Sequence, residues 1–141
     1  MAITDNTTGG RVILQGICPA RITLSDTCEV GDLLGISSST WVRALATTGT
    51  AIHARLVAGQ SGKSGDVIVA YPFAVVGGVT GGTIGGAVYN AEAALSGEYT
   101  STAPDTAGDI NAPIGINVTA TEMFIHPGST VVYHDTDHLA A

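Results

Sequence analysis

Apolar and polar residues alternate along most of the chain in short runs that are bounded by turn-forming residues. Runs such as "RVILQGI", "ARITLS", "DVIVAYPFAVV" and "STVVYH" are rich in Val, Ile, Thr and Tyr. Alternation with a period of two is typical of strands, and turn signals at nearly regular intervals favour antiparallel neighbours. The sequence therefore predicts an all-β fold, an antiparallel β-sandwich or β-barrel of short strands with an extended N-terminal arm.

In two stretches the pattern also allows a helix. Residues 50–59 read "TAIHARLVAG", but His53 and Arg55 alternate there with apolar residues, so a strand fits equally well. Residues 90–97 read "NAEAALSG", a short segment between two predicted strands that ends in Gly97. We predict a hairpin loop there, with one helical turn at most.

The chain of 141 residues is long enough for one domain with its own core. We expect a flexible N-terminal arm over residues 1–10, a single β domain over 11–133 and a C-terminal tail over 134–141. A weak internal likeness relates residues 30–76 to residues 85–128, since each has a Gly turn, an apolar strand and an aromatic-led return. This likeness suggests two similar β units.

The composition favours a protein that works by association. Acidic residues outnumber basic ones 12 to 5, and the net charge of −7 argues against a direct nucleic-acid partner. Only 12% of the residues are charged, 45% are hydrophobic and 19 are glycine. A chain of this kind is expected to hide apolar surface against copies of itself or another protein.

No stretch reads as a targeting signal or a membrane span. The start "MAITDNTTGG" has neither the basic residues nor the apolar run of a signal peptide, so we expect the chain to be made in the cytoplasm and stay there. Residues 67–91 lack charge, but glycine pairs and Pro72 interrupt their apolar residues. We expect two buried strands joined by a glycine-rich connection, and no membrane partner.

The stretch 57–66, "VAGQSGKSGD", resembles the end of a phosphate-binding loop. Gly62, Lys63 and Ser64 fit the motif, but Val57 stands where its first glycine belongs. The following residues read as a strand, which provides no helix N-terminus for an anion. We interpret the stretch as a solvated turn between two strands and expect no nucleotide cofactor.

Cys18 and Cys28 either form a disulfide that closes a hairpin or remain two reduced thiols; in a cytoplasmic protein the reduced state is the default.

The C-terminal "HDTDH" offers weak metal-ligand candidates, namely His134, Asp135, Asp137 and His138. On a strand the two histidines would share one face and the two aspartates the other, so one cluster could not use all four. We therefore expect no metal. Serines are plentiful, but no nucleophile motif surrounds them, and we expect no enzyme activity.

The order of several motifs resembles small β-rich capsid decoration (cement) proteins of tailed bacteriophages. The motifs are a Gly-Asp turn opening "GDLLGIS", the strand "GGAVYN" with its return "GEYTST", and "PIGINVTA" near the end. The resemblance spans roughly residues 11–128. It implies a trimer that binds the major capsid protein on the outer surface of the virion head and stabilises it, without catalytic residues. Alternatives are a component of a phage tail, baseplate or fibre, and a small carbohydrate-binding β module.

Two places are candidates for partner binding. Val12, Ile13 and Leu14 lie in "GGRVILQGI", a stretch that fits either a docking strand or an ordinary core strand. Trp41 fits either an interface anchor or one end of the core, and we favour the core.

Overall fold

The computed structural model describes residues 2–5, 10–92 and 95–128, which form strands and connecting turns without a helix. Accordingly, no helix in these ranges could cross a membrane. The thirteen strands of the described residues are β1 Ala2–Asp5, β2 Val12–Ile17, β3 Ala20–Thr23, β4 Leu33–Ser37, β5 Thr40–Arg43, β6 Leu56–Ala58, β7 Val67–Tyr71, β8 Phe73–Gly77, β9 Val79–Thr80, β10 Ala87–Asn90, β11 Tyr99–Thr100, β12 Gly115–Asn117 and β13 Glu122–Ile125.

The strands form two sheets. The larger has eight strands in the order β2-β8-β13-β12-β10-β11-β1-β9, and the smaller has five in the order β3-β7-β6-β4-β5. Every pair of named strands is antiparallel. The predicted all-β, antiparallel fold is therefore confirmed. β8 and β9 are second and eighth in the order of the larger sheet, yet only Gly78 separates them in sequence. Because one residue cannot span a flat sheet of this width, the larger sheet must curve so that the two strands come close together.

The principal core lies between the two sheets, because strands of both contribute to one cluster of buried side chains. Leu33 and Val57 come from the smaller sheet, and Val76, Tyr99 and Met123 come from the larger. A second cluster covers the other side of the smaller sheet, where Leu24 and Cys28 pack on it from outside its strands. The smaller sheet is therefore apolar on both faces, whereas the larger sheet turns one face outward.

The stretch 67–91 differs from its prediction. It contains four strands instead of two, because the apolar run that begins it is divided at Pro72 into β7 and β8. β7 belongs to the smaller sheet and β8 to the larger. Proline cannot donate to a ladder, so it is suited to the point where the chain leaves one sheet and enters the other.

The two doubtful stretches contain no helix in their described residues. Residues 50–59 form an isolated bridge at Ile52 and then β6. Around 90–97, β10 and β11 pair antiparallel, with Tyr89 opposite Thr100, which confirms the predicted hairpin; residues 93 and 94 lie outside the described ranges. The stretch 57–66 begins with the last two residues of β6, and residues 59–66 connect β6 to the antiparallel β7, as the turn interpretation requires.

The segment expected to be an arm contains β1, which lies between β9 and β11 in the larger sheet. Its Ile3 is buried in the principal core, so residues 2–5 are part of the domain. Residues 6–9, and the C-terminal residues 129–141 that include the expected tail, lie outside the described ranges. The two halves of the likeness differ in their sheets. In residues 30–76, β4 to β7 belong to the smaller sheet and β8 to the larger, whereas β10 to β13, in residues 85–128, all belong to the larger.

Candidate interaction surface

Strands of the larger sheet carry apolar side chains on their outward as well as their inward side. In β13, Met123 and Ile125 are buried in the core, whereas Phe124 between them is exposed. Phe124 lies opposite Val75 of β8 and Ile116 of β12. Since successive side chains of a strand point to opposite faces, these three residues share the outward side.

We call the outward side of β2, β8, β13 and β12, with the residue that follows β12, the apolar face. Phe73 and Val75 lie half-buried at its centre, and the Phe73 ring is 6.0 Å from that of Phe124 and 5.8 Å from that of His126, between centroids. Ten large hydrophobic side chains are exposed in the described residues, and six of them lie on this face: Val12, Leu14, Ile17, Ile116, Val118 and Phe124.

The apolar face is nearly free of charge. Glu122 is the one charged residue within its four strands. Four strands about 4.8 Å apart and about five residues long cover roughly 300 Å². The largest contiguous apolar patch on a monomeric protein is typically about 300–600 Å² and is often functional, which makes this face the candidate interaction surface.

The candidate residues of β2 are divided between the two sides of the sheet. Val12 and Leu14 are exposed on the apolar face, whereas Ile13 packs against the principal core. The pairing of β2 with β8 shifts register between Ile13 and Gln15, so Leu14 is a bulged residue. The core hypothesis therefore fits Ile13, whereas docking through Val12 and Leu14 stays a prediction.

Trp41 lies away from the apolar face, on β5, which is last in the order of the smaller sheet and is bridged there to Leu24. It is partly buried and packs against the second core cluster, opposite Ile36 in the strand register. This placement matches the core alternative for Trp41 more closely than an interface anchor.

Sequence reasoning missed the other members of the face, Ile17, Ile116, Val118 and Phe124. A usable signal was present, because "EMFI" and "VILQGI" place apolar residues at successive positions. Successive apolar residues in a strand mean that both of its faces are apolar. The sequence does not show whether the second apolar face of a strand is buried or exposed, because that depends on how the two sheets are layered.

A buried ionic cluster holds the beginning of β2 in place. The Arg11 guanidinium contacts the Asp32 carboxylate, and the two side chains are 1% and 4% exposed. Arg11 also lies 3.5 Å from the Glu98 carboxylate, donates to the Gly31 carbonyl at 3.4 Å, and sits 5.7 Å from the Tyr99 ring centroid. These contacts join β2 to the turn before β4 and to the beginning of β11.

Asp32 is further fixed by the Glu29 backbone N–H, which donates to its second carboxylate oxygen at 2.9 Å. Burial raises the pKa of the Asp32 carboxyl above its ordinary value, and the charge of Arg11 opposes that shift. A buried pair of this kind contributes little net stability but is costly to break. The cluster therefore positions β2 and offers no exposed reactive group.

Two shallow recesses contain titratable side chains. One of about 250 Å³ is lined by His53 and Arg55, and burial together with the neighbouring Arg55 charge lowers the pKa of His53. The other, of about 330 Å³, is lined by Glu92 and Asp105. A hydrogen bond with the Asp109 carboxyl raises the pKa of Glu92, with burial adding to the shift.

Both cysteines are unbonded, so the disulfide alternative does not hold in this structure. Cys18 is exposed, whereas Cys28 is buried in the second core cluster. Burial raises the pKa of the Cys28 thiol to about 11, with the nearby Asp32 charge adding to the shift.

The metal candidates His134, Asp135, Asp137 and His138 lie outside the described residues. Within the described ranges, no group of three or more His, Cys, Asp or Glu side chains is placed to hold a metal ion. In the former phosphate-loop candidate, the Lys63 backbone N–H donates to Asp66 at 2.9 Å, which closes a turn in front of β7. A strand follows this turn, as the sequence predicts.

The chain matches no protein-family model, and no curated protein is significantly similar to it in sequence.

Proposed function

We propose that this chain is a structural virion protein that binds the outer surface of a phage head and stabilises the capsid. The apolar face is the observation that carries the proposal. It exposes six large hydrophobic side chains, five within four strands that contain one charged residue and one directly after β12. A protein that acts by assembly needs such a surface, whereas an enzyme needs converging polar groups.

The order of motifs along the chain supports the same proposal, since it resembles capsid decoration proteins. In this proposal the partner is the major capsid protein, and the chain self-associates as a homotrimer on the particle. The chain carries a net charge of −7, which suits a site away from packaged DNA.

Reconstitution tests the proposal. Purified chain is added to undecorated, DNA-filled heads, and its copy number per head and the temperature of DNA release are measured. We expect saturable binding in a simple ratio to the major capsid protein and a higher release temperature. Saturation at a few copies would instead favour a tail, baseplate or fibre component. Absence of binding, together with retention on a glycan array, would favour the carbohydrate-binding alternative.

A further inference from the structure

We propose that an extended, uncharged segment of another polypeptide covers the apolar face by pairing as an added strand with the open edge of β2. The inference rests on the proposed function, in that the segment would belong to a protein of the head. Beyond the proposed function, the inference specifies the binding site, the backbone geometry of binding and the chemistry of the partner segment.

The edge of β2 is suited to strand addition. β2 stands at one end of the strand order, and within the described part of the chain β8 is its one strand partner. Its residues "VILQGI" include no charge and no proline, two features that commonly protect an edge; a third such feature, a bulge, is confined to Leu14 and leaves residues 15–17 regular. Backbone N–H and C=O groups along such an edge can bind an incoming strand.

The bulge determines where regular pairing is expected. Leu14 has no partner on β8, whereas residues 15–17 pair regularly with it. Leu14 and Val12 lie over Gly77, and a Cβ placed on that glycine would be 2.9 Å from the Leu14 side chain and 3.5 Å from that of Val12. An added strand would therefore bond regularly along 15–17 and place its own apolar side chains beside Leu14.

The size of the face favours an extended segment over a globular partner. The face covers roughly 300 Å², from a strand spacing of about 4.8 Å and a rise of about 3.3 Å per residue. A stable interface between two globular proteins buries about 800 Å² on each partner. A strand adds main-chain hydrogen bonds to a small apolar contact, and so compensates for the missing area.

Area also argues against a second copy as the occupant of the apolar face. A stable interface between two folded copies buries about 800 Å² on each partner, and the roughly 300 Å² of the face is less than half of that, so the homotrimer of the proposed function would form through another surface. An uncharged segment from a different protein needs no such area. Its side chains should alternate between apolar residues towards the face and polar residues towards solvent, because a strand alternates its faces.

Hydrogen exchange on the full-length protein tests the backbone part of the inference. Exchange is followed by mass spectrometry for the free protein and for the protein bound to undecorated heads. We expect the fast-exchanging amides of β2 to slow at least ten-fold on binding. Those of β5, the edge of the smaller sheet, should keep their rates.

Paired substitutions test the side-chain part. Leu14 and Ile36 are both 53% exposed, on different sheets. We expect Leu14→Lys to weaken binding to heads at least ten-fold and Ile36→Lys to change it less than two-fold. Both variants should keep the wild-type unfolding midpoint, because neither side chain is buried.

The outcomes separate this inference from the proposed function. Binding to heads without slower β2 exchange, or with equal effects of the two lysines, would overturn strand addition and leave the proposed function standing. No binding to heads would overturn both. Sedimentation of the free protein as a dimer that Leu14→Lys dissociates would identify a second copy as the occupant. Faster β2 exchange after deletion of residues 129–141 would identify the chain's own C-terminal segment.

Discussion

Removal of the Asp32 carboxylate should destabilise the protein far more than removal of an exposed carboxylate. Asp32→Ala leaves the Arg11 charge buried. Among the described residues, the half-buried Glu98 carboxylate, 3.5 Å from Arg11, is the carboxylate contact that remains. Loss of one partner of a buried pair costs about 3–5 kcal/mol. Because Glu98 compensates in part, we expect about 3 kcal/mol. For a domain of this size that corresponds to a fall in Tm of about 10–15 °C.

The assay is urea unfolding at pH 7, followed by the fluorescence of Trp41, which is the only tryptophan and is partly buried. Asp26→Ala is the matched control. Asp26 pairs with Arg43 at 3.1 Å and accepts from the backbone N–H groups of Thr27 and Arg43, but the Asp26 and Arg43 side chains are 30% and 38% exposed, so we expect a loss of about 1–2 kcal/mol.

A double-mutant cycle separates the pair from its surroundings. Arg11→Met alone leaves the Asp32 charge buried and should also cost about 3 kcal/mol or more. The double variant Arg11→Met with Asp32→Leu should recover at least half of the summed loss, because replacing both charges with apolar groups removes the desolvation penalty. A cost below about 1 kcal/mol for Asp32→Ala, or strictly additive effects, would refute a coupled buried pair.

Three further predictions concern single groups. At pH 8 a maleimide should label Cys18 at least ten-fold faster than Cys28, because Cys18 is exposed and burial raises the pKa of Cys28 to about 11; equal rates would contradict the packing of the second cluster. Folding raises the pKa of Glu92, so the stability that its protonated form contributes is present at acid pH and is lost as the pH rises above 4.5. Glu92→Gln should therefore flatten the decline in Tm over that pH range. An unchanged pH profile of Tm would argue against the contact of Glu92 with Asp109. Gly115→Ala should lower the free energy of unfolding by about 1–3 kcal/mol, because a Cβ at position 115 would lie 2.1 Å from the Phe124 carbonyl oxygen of the adjacent strand β13. Wild-type stability of this variant in urea would show that β12 and β13 can move apart at little cost.

Local pattern was sufficient to predict the class of the fold. The alternation of Val, Ile and Thr predicted an antiparallel all-β chain, and Gly97 correctly marked the end of the hairpin loop between β10 and β11. Pro72 was visible in the sequence, but its consequence was not. A proline can end a strand or sit at an edge, and only the positions of the two sheets show that the chain passes there from one to the other.

The candidate surface was predictable only in part. Val12 and Leu14 were identified, but Phe124 and Ile116 join them through strands far apart in the sequence. The burial of Arg11 could not be predicted either, since an isolated arginine in a polar segment is normally solvated. Its partners Asp32 and Glu98 are 21 and 87 residues away, and no local pattern relates them.

Quantitative mass spectrometry of purified virions from the source tests the central claim most directly. The measured quantity is the number of copies of this chain relative to the major capsid protein. The account predicts near-equal abundance, because a decoration protein occupies repeated sites on the head lattice. Absence of the chain from purified virions would contradict the proposed structural role.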